Sequence, residues 1–224
     1  MNASFRKNEI VYGSVYGVFQ FLILPSLAAA LIILMDLPTW IMQFGIFLLN
    51  FIVTVLIFRF FLLQSCKDAL SCPGRFFAYT GLGLVIFYAS NLLVSFLIFA
   101  IKPDYANLND EGISQLAEDS GIWIALGTIL LVPVAEECLF RGLLFRAIYE
   151  KHPILAWIIS AASFSAVHVL SYVGAYDSGS MILAFIQYLP AGLSLCYAYR
   201  STGTILSPIL MHSLINLISV SLLT

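Results

Sequence analysis

The sequence predicts an all-α protein, a polytopic bundle of transmembrane helices. Of its 224 residues, 61% are apolar and only 10% are charged, whereas about 25% is typical of soluble domains. Apolar runs of about 20 residues or more, enough to span a bilayer, recur between short polar breaks. The net charge is −2 and no basic block is present, so we expect no nucleic-acid partner.

Seven apolar runs predict seven membrane spans in a single membrane domain, residues 1–224. The first run follows Arg6 and Lys7 and is too long for a signal peptide, so it is assigned as a span. Proline, glycine and serine mark most of the breaks. The predicted spans are residues 10–35, 39–63, 76–101, 121–149, 153–172, 180–199 and 204–223.

The distribution of lysine and arginine predicts how the bundle is oriented. Basic residues occur in the N-terminal tail and in every second connection, namely Arg6, Lys7, Lys67, Arg75, Arg146, Lys151 and Arg200. The other connections contain Lys102 among the acidic residues Asp36, Asp104, Asp110, Glu111, Glu118, Asp119 and Asp177. We therefore expect a cytoplasmic N-terminus and multi-pass insertion in the cell membrane.

The fourth predicted span contains three charged residues, Glu136, Glu137 and Arg141. Each charge at the bilayer centre costs about 2.5 to 3.5 kcal/mol on insertion scales, which makes a functional site the default explanation. Glu137 and Arg141 are four residues apart, so they are expected to form an ion pair. Glu136 projects about 100° away around the helix and is left free to face a cavity, which a kink at Pro133 would widen. Most residues from 161 to 166 are small, which would let the fifth span approach closely.

Two histidines and an amide in other spans are predicted to reach the same depth as Glu136. Glu136 lies 16 residues before the turn residue His152, and His168 lies 16 residues after it. In an antiparallel hairpin both therefore lie about 24 Å from the turn. His212 follows the last turn by about ten residues, and Asn216 lies one helical turn beyond it on the same face. These polar groups are expected to converge near the middle of the bilayer.

These residues resemble the motifs of the CPBP family, the CAAX-protease and bacteriocin-processing membrane enzymes also called Abi proteins. The family's motifs Glu-Glu-x-x-x-Arg, Phe-x-x-x-His and His-x-x-x-Asn match, in order, Glu136, Glu137 and Arg141, then Phe164 and His168, then His212 and Asn216. The resemblance covers residues 121–223, the expected catalytic core, and makes residues 1–101 accessory spans. Family members often have eight helices, so the resemblance allows for one more than the seven counted.

The resemblance implies an intramembrane endopeptidase that hydrolyses a peptide bond of a membrane-associated peptide or protein. Glu136 would activate the attacking water with the help of His168, and His212 and Asn216 would stabilise the oxyanion. The residues that would support the site are Glu137, Arg141 and Phe164. No cofactor is expected. The alternative is a zinc ion, or another divalent metal, on Glu136, His168 and His212 with water as the fourth ligand.

Two other classes of function share some of these features. A non-catalytic immunity factor, or a regulator of a membrane sensor kinase, is also compatible with the resemblance and would tolerate alanine at Glu136, His168 and His212. A proton-coupled transporter would use buried glutamate and histidine as well. The chain, however, lacks the repeated halves with paired broken helices that are typical of many transporters.

Overall fold

The computed structural model describes residues 3–105, 107, 122–170 and 172–223. These parts of the chain are helical and form no β-strand, so the predicted all-α bundle is confirmed. Residue 121, where the fourth span was predicted to begin, and the acidic residues from 110 to 119 lie outside the described residues. The helices are α1 (Lys7–Met35), α2 (Thr39–Ile57), α3 (Arg59–Ser71), α4 (Pro73–Ile101), α5 (Ile122–Tyr149), α6 (Pro153–Leu170), α7 (Ser178–Thr202) and α8 (Leu206–Leu223).

In the described parts, six helices are long and apolar enough to cross a membrane, namely α1, α2, α4, α5, α6 and α7. The seventh predicted span corresponds to α8, whose segment Leu206–Leu222 is apolar but shorter. Large apolar side chains cover the outside of the bundle, and Ile33 and Leu222 are each 81% exposed. An apolar surface of this extent is stable only against hydrocarbon, which agrees with a membrane protein.

The predicted second span, residues 39–63, is wrong at its C-terminal end. Helix α2 ends at Ile57, and α3 begins as a separate helix at Arg59. The sequence had suggested one continuous run because apolar residues 60–63 follow Arg59. Helix α3, however, contains Gln64, Lys67 and Asp68, and such polar groups are costly inside hydrocarbon.

A buried carboxylate, Glu9 of α1, holds the first turn of α3 in place. Its side chain is 3% exposed, and its Oε1 atom accepts a hydrogen bond from the Phe61 backbone N–H at 3.0 Å. Its Oε2 atom accepts from the Arg6 backbone N–H at 2.7 Å. The first N–H groups of a helix have no partner within the helix and carry partial positive charge, so a carboxylate stabilises them. Glu9 thereby links the N-terminal segment to α3.

The two larger clusters of buried side chains lie at different depths in the bundle. The first, here called the end cluster, joins helix ends near the N-terminus, and its members Phe58, Phe61, Phe145, Tyr199 and Ile205 are each 0–1% exposed. The second lies deeper in the bundle and includes Phe87, Phe140, Phe164, Leu195 and Met211. Close packing of this kind leaves few voids large enough for water. The end cluster therefore closes one end of the bundle.

Helices α6 and α7 pack against each other through small residues, as the sequence predicted. A Cβ atom placed on Gly192 would lie 2.8 Å from the Ala161 Cα atom and 2.9 Å from its Cβ atom. A contact with backbone cannot be relieved by a side-chain rotation. Glycine at this position therefore permits the close approach of the two helices.

We expect the Gly192→Ala substitution to destabilise the protein by about 1–3 kcal/mol, the usual cost of overpacking a core. The measurement is unfolding in mixed detergent micelles. The matched control is Gly81→Ala in α4, where an added Cβ meets no atom within 4 Å and alanine gains up to about 1 kcal/mol of helix propensity. Equal stability of the two variants would contradict the close approach.

Candidate active site

Glu136, His168, His212 and Asn216 all lie in the wall of one cavity inside the bundle. The cavity has a volume of about 310 Å³ and is bounded by side chains from every transmembrane helix and from α8. Helix α5 contributes Glu136, α6 contributes His168, and α8 contributes His212 and Asn216. The predicted convergence is confirmed, whereas the chemical role of each residue stays a prediction.

Glu136 and His168 face each other across the α5–α6 hairpin, at the common depth that residue counting predicted. The Glu136 Oε2 atom lies 3.9 Å from the His168 Nε2 atom, and each side chain is 14% exposed. The His168 Nδ1 atom is 2.8 Å from the Phe164 carbonyl oxygen. Since a carbonyl only accepts, Nδ1 donates this bond, and the neutral ring presents a lone pair on Nε2. The acceptor atom of His168 therefore faces the carboxylate of Glu136.

Glu137 and Arg141 form the predicted ion pair. The Arg141 Nη1 atom donates to Glu137 Oε1 at 2.8 Å, and both side chains are fully buried. Arg141 also reaches α7, where its Nη2 atom donates to the Gly192 carbonyl at 3.2 Å. Leaving either charge unpaired in this position would be costly. The pair offsets the cost of placing both charges inside the bundle.

The same carboxylate oxygen binds His212, a contact that the sequence did not predict. The His212 Nδ1 atom lies 2.9 Å from Glu137 Oε1. A glutamate paired with arginine is ionised and accepts only, so His212 donates from Nδ1. Glu137 therefore joins α5 to α8 and leaves the Nε2 atom of His212 for another partner.

Asn216 is oriented by a backbone carbonyl of α5. Its Nδ2 atom donates to the Thr128 carbonyl oxygen at 2.8 Å. Thr128 lies in a π-helical turn, Gly127–Leu131, in which the Val132 N–H bonds five residues back to the Gly127 carbonyl. The next donor in that register would be Pro133, which has no N–H. The carbonyl of Thr128 is thus left for Asn216.

The aromatic ring of Phe164 contacts three charged or polar side chains of the site. Its ring centroid lies 4.4 Å from that of His168 and 5.6 Å from that of His212. The Arg141 guanidinium carbon lies 4.3 Å above the ring, a distance typical of a cation–π contact. Phe164 is 2% exposed, so its aromatic ring fixes the spacing between these side chains.

Further polar residues of the cavity wall were not predicted from the sequence. The buried atoms Thr128 Oγ1, Glu136 Oε2 and Gln187 Oε1 have no hydrogen-bond partner among the described residues. Because an unpaired buried polar group costs about 1–3 kcal/mol, a cavity lined by such atoms is suited to water or a polar ligand. Tyr188, beside Gln187, stacks on His168 with ring centroids 4.5 Å apart. In the sequence, Gln187 is a single amide within an apolar run, and this pattern could have indicated a residue that lines a cavity.

Zinc on Glu136, His168 and His212 was the alternative that the sequence left open. Among the described residues, no group of three or more His, Cys, Asp or Glu side chains is placed to hold a metal ion. The Nδ1 atom of His212 is bonded to Glu137. That bond leaves the Nε2 atom of His212 free, as in histidines that bind a metal through Nε2, so metal analysis of the purified protein is the test of this alternative.

Comparison with known proteins points to the second half of the chain. Residues 118–218 match the family model described as "Type II CAAX prenyl endopeptidase Rce1-like". The chain is also 28% identical over 148 residues to the UPF0177 protein YxdF of Lactococcus lactis subsp. lactis (strain IL1403), an alignment covering 61% of this chain and 71% of that protein. No solved structure is significantly similar to the chain.

The matched segment contains Glu136, His168, His212 and Asn216, which α5, α6 and α8 bring to the wall of the cavity. It also contains the three motifs in their expected order. Residues 118–218 of this chain are therefore similar to the CAAX-type membrane proteases, which agrees with the resemblance of its motifs to the CPBP family.

Proposed function

We propose that the protein is an intramembrane endopeptidase of the cell membrane. It hydrolyses an internal peptide bond of a membrane-associated peptide or protein, and it uses water activated by Glu136. The observation that carries this proposal is the pair Glu136 Oε2 and His168 Nε2, 3.9 Å apart in the wall of a polar cavity. The family to which residues 118–218 are similar supports peptide hydrolysis.

The attacking water lies between Glu136 and His168 in this mechanism. Two acceptors 3.9 Å apart leave room for one water molecule at about 2.8 Å from each. That water donates one hydrogen to the Glu136 carboxylate and the other to His168 Nε2, so an oxygen lone pair points at the substrate. As the new C–O bond forms, Glu136 takes the proton, a general-base contribution of about 10²–10⁴ in rate.

His212 and Asn216 stabilise the oxyanion that forms when the carbonyl electron pair moves onto oxygen. Asn216 uses one N–H on the Thr128 carbonyl and keeps the second for the substrate. His212 donates from Nε2 when its ring is doubly protonated, and the Glu137 carboxylate at 2.9 Å offsets the positive charge of that form. Each such donor contributes about 10²–10³ in rate.

Collapse of the tetrahedral intermediate completes the reaction. The C–N bond breaks, the oxyanion returns its electron pair to the carbonyl, and Glu136 passes its proton to the leaving amine. No side-chain nucleophile takes part, so no covalent intermediate forms with the protein. Arg141 and Phe164 keep Glu137, His168 and His212 at their positions.

Product analysis tests the reaction type. Membranes containing the wild-type chain are expected to generate new peptide termini from a pool of membrane-anchored peptides, and membranes lacking the chain are not. Because water attacks directly, hydroxylamine is expected to trap no acyl-enzyme. Because the acid–base groups are side chains, metal chelators are expected to leave the cleavage rate unchanged. Mass spectrometry of the peptides and metal analysis of the purified protein are the measurements.

Two results would contradict this mechanism. A hydroxamate product would indicate an acyl-enzyme and hence a serine or cysteine nucleophile. One equivalent of zinc per chain, whose removal abolishes cleavage and whose return restores it, would assign Glu136, His168 and His212 to metal binding instead.

A further inference from the structure

The cavity extends from the middle of the bundle towards the end that lies away from the N-terminus. It begins near the middle of α1 at Phe21 and includes Gln43, only four residues after the start of α2. In α7 it is lined by residues from Gln187 to Leu195, and in α8 by residues from His212 to Val220, close to the end of that helix. Asn107, in the connection that follows α4, also lines it. The outermost of these positions, Gln43, Asn107 and Ser219, adjoin the same end of the bundle, here called the cavity face.

The opposite end of the bundle is closed by the end cluster. Its members come from the end of α2, the start of α3, the ends of α5 and α7, and the turn before α8. The aromatic residues Phe58, Phe61, Phe145 and Tyr199 are each 0–1% exposed, and none of them lines the cavity that contains Glu136. Of the two ends, the cavity face is therefore the one that the described residues leave suited to the entry of a peptide.

Charge distinguishes the two ends. The closed end carries Arg59 and Lys67 in α3, Arg75 at the start of α4 and Arg200 at the end of α7. At the cavity face, Lys102 forms an ion pair with Asp177 at 3.6 Å. Hydrogen bonds from Ser180, and to a smaller extent Lys102, lower the pKa of Asp177 to about 2, so this carboxylate stays charged at neutral pH. By the positive-inside rule, the closed end lies in the cytoplasm and the cavity face lies outside.

We propose that the site takes its peptide from the extracytoplasmic face of the membrane. This inference rests on the proposed function and adds the class of substrate, a peptide segment that has already crossed the bilayer or is exposed on its outer surface. The path to Glu136 is lined by the amides of Gln43, Asn91 and Gln187, which can donate to and accept from a peptide backbone. Among the residues that the structure describes, no lysine or arginine lines the cavity. An internal bond therefore fits better than a free terminal carboxylate, which would need a cationic partner.

Cysteine labelling with a membrane-impermeant maleimide tests the side of access. The wild-type chain supplies its own marker of the closed end, because Cys66 and Cys72 are exposed there while Cys138 and Cys196 are buried. The cavity probe is Gln187→Cys in a background in which Cys66 and Cys72 are replaced by serine. The matched control is Leu193→Cys in the same background, which lies on the same helix, is 43% exposed and faces lipid.

The probe Gln187→Cys is expected to react in right-side-out membrane vesicles, and the Leu193→Cys control is expected to react in neither orientation because its thiol lies in hydrocarbon. Cys66 and Cys72 are expected to react in inverted vesicles only. Labelling of the probe from the inverted side, or from neither side, would overturn the proposal, and so would labelling of Cys66 and Cys72 in right-side-out vesicles. Labelling needs no enzymatic activity. A result that contradicts the proposed side of access can therefore be distinguished from a failure to detect proteolysis.

Discussion

Replacing Glu136 by glutamine is expected to lower the rate of peptide cleavage by about 10²–10⁴, the usual contribution of a general base. Glutamine has nearly the same shape as glutamate but cannot accept a proton from water. Because Glu136 is not part of the Glu137 ion pair, the variant is expected to fold and insert normally. The measurement is the initial rate of product formation by purified protein in lipid nanodiscs, beside an unfolding curve.

The matched control for this prediction is Glu150→Gln, the same chemical change at an exposed residue after α5. It is expected to cleave at the wild-type rate. If Glu136→Gln also cleaves at the wild-type rate, Glu136 is not the base. If both variants keep a cellular phenotype while neither they nor the wild type form product, the immunity or regulatory function replaces proteolysis.

Replacing Glu137 by alanine is expected to destabilise the fold by about 3–5 kcal/mol. This is the usual cost of removing one partner of a buried ion pair, and here two partners lose their acceptor, Arg141 and His212. Unfolding in mixed detergent micelles measures the change. The control is Glu150→Ala, an exposed substitution for which about ±0.5 kcal/mol is expected.

A double variant separates the loss of the charge pair from the loss of packing. Glu137→Leu combined with Arg141→Met removes both charges and is expected to recover much of the stability, since apolar residues of similar volume often replace buried ion pairs at little cost. It is expected to remain inactive because His212 has lost its carboxylate partner. A Glu137→Ala variant as stable as Glu150→Ala would contradict the described hydrogen-bond network.

The sequence predicted the fold well where hydrophobic runs end in turn residues. Asp36, Pro38, Pro103 and Gly203 stop or start helices within a few residues of the expected positions. The end of α2 was missed because its apolar run continues into α3. The decisive contact there, from Glu9 to the Phe61 N–H, joins segments that are far apart in sequence, so no local pattern reveals it.

The contacts of the candidate site were likewise predictable from the sequence only where they depend on local spacing. Helix periodicity was sufficient for the Glu137–Arg141 pair, and counting along one hairpin was sufficient to bring Glu136 level with His168. The bond from His212 to Glu137 depends on how α8 rotates against α5, two helices separated by two others along the chain. Spacing within either helix contains no information about that rotation, so this contact required the structure.

The π-helical turn before Pro133 has a consequence for how this site can change in evolution. The amide of Asn216 is held by a carbonyl that is available because one residue lacks a hydrogen. Any other amino acid at position 133 would add an N–H group that competes with Asn216 for Thr128. The geometry of the site thus depends on a missing donor, and a substitution that looks harmless by size and polarity would alter it without touching a reactive group.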